Sequence, residues 1–205
     1  MMADINRITK LTDEKYVNLY QADGVNSKGY ESHYLLASRT DNIKDLKMST
    51  HVDRPDAVAV YALCEGKMVL VRQYRYPIDG WIYELPAGLV EKGEDFHDTA
   101  IREMKEETGL DLEVLRVDNM IEKACYTSVG MTDEATATVY GYATGEVTDQ
   151  YEELCEEIEV VLADKEECRR ILREEKVAVI CQYQMMHFIS DKEPFAFLEE
   201  FKQKD

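Results

Sequence analysis

The chain has 205 residues, 45% hydrophobic and 32% charged, a mixture that can bury a core and is too apolar for a disordered chain. Its 42 acids against 24 bases leave a net charge of −18, which argues against a nucleic-acid backbone or an anionic membrane as partner. Met1 to Lys15 lacks the apolar segment of a signal peptide, and no stretch approaches the ~20 apolar residues of a membrane span, so a soluble cytoplasmic protein is the expectation.

In chain order, residues 15–39 read as an antiparallel hairpin. Tyr16 to Tyr20 and Tyr30 to Ala37 are aromatic and β-branched runs flanking the turn-rich Ala22 to Gly29. Residues 40–56 are polar and end in Asp53-Arg54-Pro55-Asp56, a natural boundary. Ala57 to Cys64 is the longest apolar run and reads as a buried strand; Glu65-Gly66-Lys67 turns the chain into a second strand, Met68 to Gln73. Pro77, Asp79 and Gly80 mark a loop before a short strand, Trp81 to Leu85. After Pro86-Ala87-Gly88 and a turn at Gly93, a helix follows over Asp95 to Thr108, with Asp95 as N-cap and Gly109 as the glycine past its end. Residues 135–144 and Glu156 to Leu162 read as strands. Asp164 to Glu175 and Val177 to Ile189 read as helices, the latter ending before Pro194. The fold class is α/β (α+β), helices packed on both sides of a mixed sheet.

The five cysteines, Cys64, Cys125, Cys155, Cys168 and Cys181, contain no C-x-x-C pair and read as buried free thiols of a reducing compartment. The histidines His33, His51, His97 and His187 lack zinc-ligand spacing. No nucleophile elbow, P-loop or dinucleotide fingerprint is present.

Glu103, Glu106 and Glu107 share one helical face about 100° wide, at ~100° per residue. Like charges so spaced cost roughly 0.2–0.5 kcal/mol per pair. On a helical wheel Lys105 points away and Arg102 reaches Glu106 only. Hard divalent cations prefer such oxygen donors, so the trio suits Mg²⁺ or Mn²⁺; a solvated acidic face is the alternative. A metal would also let so acidic a protein bind an anion.

The surroundings decide between these. From Gly88 the chain reads Gly, five residues, Glu94, seven residues, then Arg102-Glu103-Met104-Lys105-Glu106-Glu107-Thr108-Gly109-Leu110. This resembles the Nudix box at every fixed position, and a chance match has odds on the order of one in a million. The resemblance implies a Nudix fold: a mixed β-sheet sandwiched between helices, with an N-terminal antiparallel β subdomain. It implies that Glu103, Glu106, Glu107 and the carbonyl of Ala87 hold metal, that Arg102 orients a glutamate, and that Glu94 supports the loop. Val69 to Pro77, followed by Tyr83-Glu84-Leu85-Pro86-Ala87-Gly88, looks like the ADP-ribose and ADP-sugar pyrophosphatase branch. On that reading Arg75 meets substrate phosphates. Glu84 contacts substrate or metal, or is a strand-end salt-bridge partner. Ser128-Val129-Gly130-Met131-Thr132-Asp133-Glu134 resembles the branch's Ser-Pro-Gly loop and makes Glu134 the carboxylate that orients or deprotonates the attacking water. Val129 departs from the branch's proline, which weakens the assignment to ADP-ribose more than the assignment to a pyrophosphatase.

The branch implies residues 1–50 as a dimerising β subdomain and 51–205 as the hydrolase domain of a homodimer. Tyr16, Tyr20, Tyr30 and Tyr34 are read as core residues ahead of roles in a dimer or on a nucleobase. The implied activity is metal-dependent hydrolysis of a nucleoside diphosphate sugar, ADP-ribose to AMP and ribose 5-phosphate. The alternatives are another nucleotide sugar, a dinucleotide or a coenzyme as substrate, or a catalytically silent nucleotide-binding domain.

Overall fold

The computed structural model describes residues 4–117, 119–151 and 157–201. In chain order they form β1 (Asp4–Lys10), β2 (Asn18–Val25), β3 (Glu31–Ser38), α1 (Lys47–Thr50), β4 (Ala57–Cys64) and β5 (Lys67–Arg75). There follow β6 (Gly80–Glu84), β7 (Ala87–Leu89), α2 (Phe96–Thr108), β8 (Asp111–Leu115), α3 (Asn119–Glu122) and β9 (Cys125–Tyr126). β10 (Ala135–Thr144), β11 (Ile158–Ala163), α4 (Lys165–Glu174) and α5 (Val179–Ser190) come last, before a 3-10 turn at Ala196–Phe201. Two compact units result. The first takes the described residues up to Asp56 together with Ala124–Thr136; the second takes Ala57–Lys123 and the described residues from Ala137 onward.

The first unit is an antiparallel sheet in the order β1-β2-β3. One face buries Tyr20, Ala22 and Leu36 against Leu46, with Ile8, Ile43 and Met48 around them. Tyr20 is fully buried and its hydroxyl donates to Thr40 O, as a buried tyrosine requires. Tyr16, Tyr30 and Tyr34 are exposed, so the expected core role holds for Tyr20 alone. β1 escapes a reading by periodicity because Asp4 to Arg7 stay exposed and Ile8 is its apolar contact with this core.

In the second unit the strand order is β11-β5-β4-β10-β8. Glu65 and Gly66, both at positive φ, make the two-residue turn between β4 and β5. The two strands pair only near this turn, at Leu63↔Met68 and Cys64↔Lys67. Beyond it they splay. β6 fills the edge of β5 from Val71↔Glu84 to Arg75↔Gly80, and β7 fills the edge of β4 from Ala57↔Leu89 to Ala59↔Ala87. Pro86 O, between them, accepts from Val60 N. Pro86 is a bend, and Ala87 and Gly88 after it are drawn into strand by the open edge of β4.

Side chains of β4 alternate between two cores. Val58, Val60, Ala62 and Cys64 pack with Ala100 and Met104 of α2. Ala59, Tyr61 and Leu63 pack with Cys168 and Ile171 of α4 and Cys181, Met185 and Phe188 of α5. The sheet therefore lies between α2 and the α4/α5 pair, the expected sandwich. Cys64, Cys168 and Cys181 are buried, and burial pushes the Cys168 thiol up to about 12. Cys125 is exposed, against expectation, because it lies at the end of the two-residue strand β9. Cys155, and Glu156 of the expected strand, lie outside the described residues. Among the described residues no helix is long and apolar enough to cross a membrane.

Asp95 caps α2 by accepting from His97 N, and Gly109 ends it at φ 77° with its amide bonded to Lys105 O. A Cβ at Gly109 would lie 2.3 Å from Thr148 Cγ2 and 2.9 Å from Thr148 N. Gly109→Ala is expected to cost about 1–3 kcal/mol in chemical denaturation, from left-handed strain plus this clash. Gly29→Ala, at φ 85° but with nothing within 4 Å, isolates the strain and should cost less.

Candidate functional site

The site grows from α2 and the β6–β7 wedge. Ala100 and Met104 are fully buried against the sheet, which fixes the helix's rotation. The edge carrying Glu103, Glu106 and Glu107 is thereby turned toward β7. Glu107 is itself 6% exposed, and its Oε2 accepts from Ala87 N at 3.1 Å. A Cβ on Gly88 would stand 1.9 Å from Cδ of Glu103, so the absence of a side chain there is what admits the Glu103 carboxylate.

Arg102 organises the rest. Its Nε and Nη2 donate to Glu94 Oε1 and Oε2, each at 3.2 Å. Its Nη1 donates to Glu103 Oε1 at 2.7 Å and to Glu106 Oε2 at 2.9 Å. Nη2 also donates to Leu89 O at 3.2 Å. The expectation that Arg102 reaches Glu106 only is corrected. A wheel fixes one direction per side chain, whereas a guanidinium on a long stem presents five donors in a plane and spans three carboxylates. Glu94 also accepts from Glu91 N, which makes it the loop support expected of it. The Arg102 hydrogen bonds hold the Glu94 carboxyl down at about 2 and raise Arg102 above its ordinary value, Glu94 being the largest cause. Lys105 turns away, donating to Gly109 O and Asp111.

The donor set is entirely hard oxygen: three glutamates share one guanidinium and Glu107 lies beside them, an excess of carboxylate that fits a divalent cation. Among the described residues no three acidic, His or Cys side chains form a ready metal cage. Arg102 lies between Glu103 and Glu106, and the Ala87 amide holds one oxygen of Glu107.

The two candidate substrate residues meet each other. Arg75 Nε and Nη2 donate to Glu84 Oε1 and Oε2 at 3.2 and 2.6 Å across β5 and β6. Of the readings open for Glu84, the salt-bridge partner is the one seen. Glu134 belongs to the first unit, where Arg39 Nε donates to its Oε2. Its loop is fastened without the branch's proline: Met131 N and Thr132 N donate to Ser128 O, Ala37 N donates to Met131 O, and the Tyr34 hydroxyl donates to Gly130 O. Val129 at the tip is exposed.

The sequence did not reveal one buried charged group. His97 Nε2 lies 3.0 Å from Glu122 Oε1, both side chains being almost wholly buried. Twenty-five positions separate them, and neither belongs to a local pattern.

The NUDIX domain family pattern matches residues 53–178, and the chain belongs to this family. Over 84 residues, 40% of this chain, it is 46% identical to the ADP-ribose pyrophosphatase of Bacillus subtilis (strain 168), covering 43% of that protein. Over a stretch of the same length and share of this chain it is 49% identical to the methanol dehydrogenase activator of Bacillus methanolicus, again covering 43% of the relative. It is 31% identical over 109 residues, 52% of this chain, to the ADP-ribose pyrophosphatase of Saccharomyces cerevisiae, covering 45% of it. The matched stretches thus span less than half the length of these relatives. A crystal structure of an ADP compounds hydrolase superposes with a TM-score of 0.67 at 16% identity, covering 92% of this chain and 95% of that one, and shares the fold.

The Glu94–Arg102 pair sets a pH signature. Glu94 is depressed in the folded state, so its contribution to stability is complete above the unfolded carboxylate value of ~4.3 and is lost as pH falls through about 2. Denaturation midpoints between pH 5 and pH 2 should fall less steeply in Glu94→Gln than in the parent protein. Equal slopes would contradict the pairing.

Proposed function

We propose that this protein is a metal-dependent hydrolase that cleaves the diphosphate of a nucleoside diphosphate sugar, with ADP-ribose giving AMP and ribose 5-phosphate. The observation that carries the reading is the carboxylate edge of α2, gathered on Arg102 beside the Ala87–Gly88 strand. Glu103, Glu106, Glu107 and the carbonyl of Ala87 would hold Mg²⁺ or Mn²⁺. When bound, the metal neutralises diphosphate oxygens and lowers the cost of charge on the leaving phosphate. The relatives named ADP-ribose pyrophosphatase support the substrate class.

In the reaction, water adds at phosphorus, the P–O–P bond breaks, and the leaving phosphate departs with the bridging oxygen. Arg75 would exchange its bidentate hold on Glu84 for an equally bidentate hold on a phosphate. Glu84 would then be released toward substrate. Glu134 is the residue proposed to orient the water and take its proton, a role supported by the resemblance of its loop. Arg102 keeps Glu103 and Glu106 from swinging into solvent. Assembly as a homodimer through residues 1–50 and residence in the cytoplasm complete the proposal; the free thiols suit a reducing compartment. A catalytically silent domain is disfavoured because every glutamate of the helix is present.

A panel of nucleotide sugars and dinucleotides incubated with Mg²⁺, with products identified by mass, tests the reading. ADP-ribose should be cleaved to two monophosphates and excess chelator should abolish turnover; full turnover in chelator contradicts the metal assignment. Glu106→Gln and Glu107→Gln should each lower kcat by about 10²-fold or more with the fold intact, and wild-type rates in either would refute their role. Glu134→Gln should lower kcat more than it weakens metal affinity. An unchanged rate would remove Glu134 from the mechanism.

A further inference from the structure

At the start of α2, His97 sits in a nest of charge. Its Nδ1 lies 2.8 Å from Arg116 Nη1 and 2.9 Å from Asp95 Oδ1, and its Nε2 lies 3.0 Å from Glu122 Oε1. Nδ1 thus faces both a donor, the Arg116 guanidinium, and an acceptor, the Asp95 carboxylate. Nε2 faces the Glu122 carboxylate, which accepts from it. Asp95 Oδ1 is occupied by the amide of His97, as the helix cap. Desolvation raises the Glu122 carboxyl above its ordinary value while the His97 hydrogen bond opposes it, so the carboxyl depends on this partner. The imidazole also stacks on Phe96, with ring centroids 4.0 Å apart.

The three partners of His97 come from separate pieces of chain: the cap of α2, the residue after β8, and the last residue of α3. α3 has four residues, too few to hold itself as a helix. Its described attachments are this hydrogen bond and the packing of Ile121 on the larger core. One residue beyond Glu122 the chain leaves the second unit, and Ala124–Thr136, which carries Glu134, belongs to the first.

We propose that His97 and Glu122 are a positioning pair for hydrolysis: they pin α3 to the N-terminus of the carboxylate-bearing helix and so fix the point from which the Glu134 segment departs. Neither residue is assigned to substrate or metal. The proposal rests on the hydrolase reading above, and the experiment separates the two.

His97→Ala, Glu122→Ala and His97→Gln are compared with the parent by hydrogen exchange and by kinetics on ADP-ribose with Mg²⁺. In His97→Ala, amides of residues 119–127 should exchange at least about tenfold faster while those of α2 keep their protection. The same variant should lose about 10- to 100-fold in kcat, with KM and the Mg²⁺ half-saturation within about twofold of the parent. His97→Gln retains an N–H donor for Glu122 and should recover most of both. Should His97→Ala fail to fold, Glu122→Ala decides, since it removes the acceptor and leaves the α2 cap intact. Unchanged exchange over 119–127 overturns the anchor whatever the substrate. Faster exchange with unchanged kcat, or KM and kcat changing together, overturns the positioning role. If the parent hydrolyses no nucleotide diphosphate, the hydrolase reading fails and the exchange result alone decides the anchor.

Discussion

The site depends on one guanidinium. Glu103, Glu106 and Glu107 crowd one edge of α2, and each like-charge pair costs roughly 0.2–0.5 kcal/mol. Hydrogen bonds to charged groups contribute roughly 1.5–3 kcal/mol each, and Arg102 makes four to carboxylate oxygens. Even discounted for its partial exposure, attraction outweighs repulsion. The carboxylates are thus held in a fixed array and still exceed their counter-charge, the condition under which an arriving dication gains most.

Packing and chemistry are coupled through the same helix. Burial of Ala100 and Met104 sets the rotation that presents the acidic edge. The splay of β4 and β5 makes room for β6 and β7, which bring Ala87 and Gly88 to that edge and set Glu84, opposite Val71, within reach of the Arg75 guanidinium. Gly88 lacks the Cβ that would occupy the place of the Glu103 carboxylate. A side chain added at Gly88 would therefore be felt first in the carboxylate array.

Elements with strong local signals were legible in the sequence. The apolar run Ala57–Cys64, the Glu65-Gly66 turn and the capped helix ending at Gly109 stand where residue pattern puts them. Features created by long-range partners were not. β7 exists because an open strand edge recruits it, β1 packs only partly, through Ile8, and Arg102 gathers Glu94 from before the helix as well as Glu106 within it. The His97–Glu122 pair joins residues with no sequence relation. The Nudix box made the carboxylates legible as chemistry, whereas the Arg75–Glu84 pairing required the register of β5 against β6.

The central claim is that the Glu103, Glu106 and Glu107 array holds a divalent ion against a diphosphate. Anomalous scattering from a crystal of the protein with Mn²⁺ and a non-hydrolysable ADP-ribose analogue addresses it directly. The account predicts a manganese peak within about 2.0–2.6 Å of at least two of these carboxylates and bridged to the analogue's phosphates. Manganese bound elsewhere, with the analogue's diphosphate remote from the helix, would contradict it.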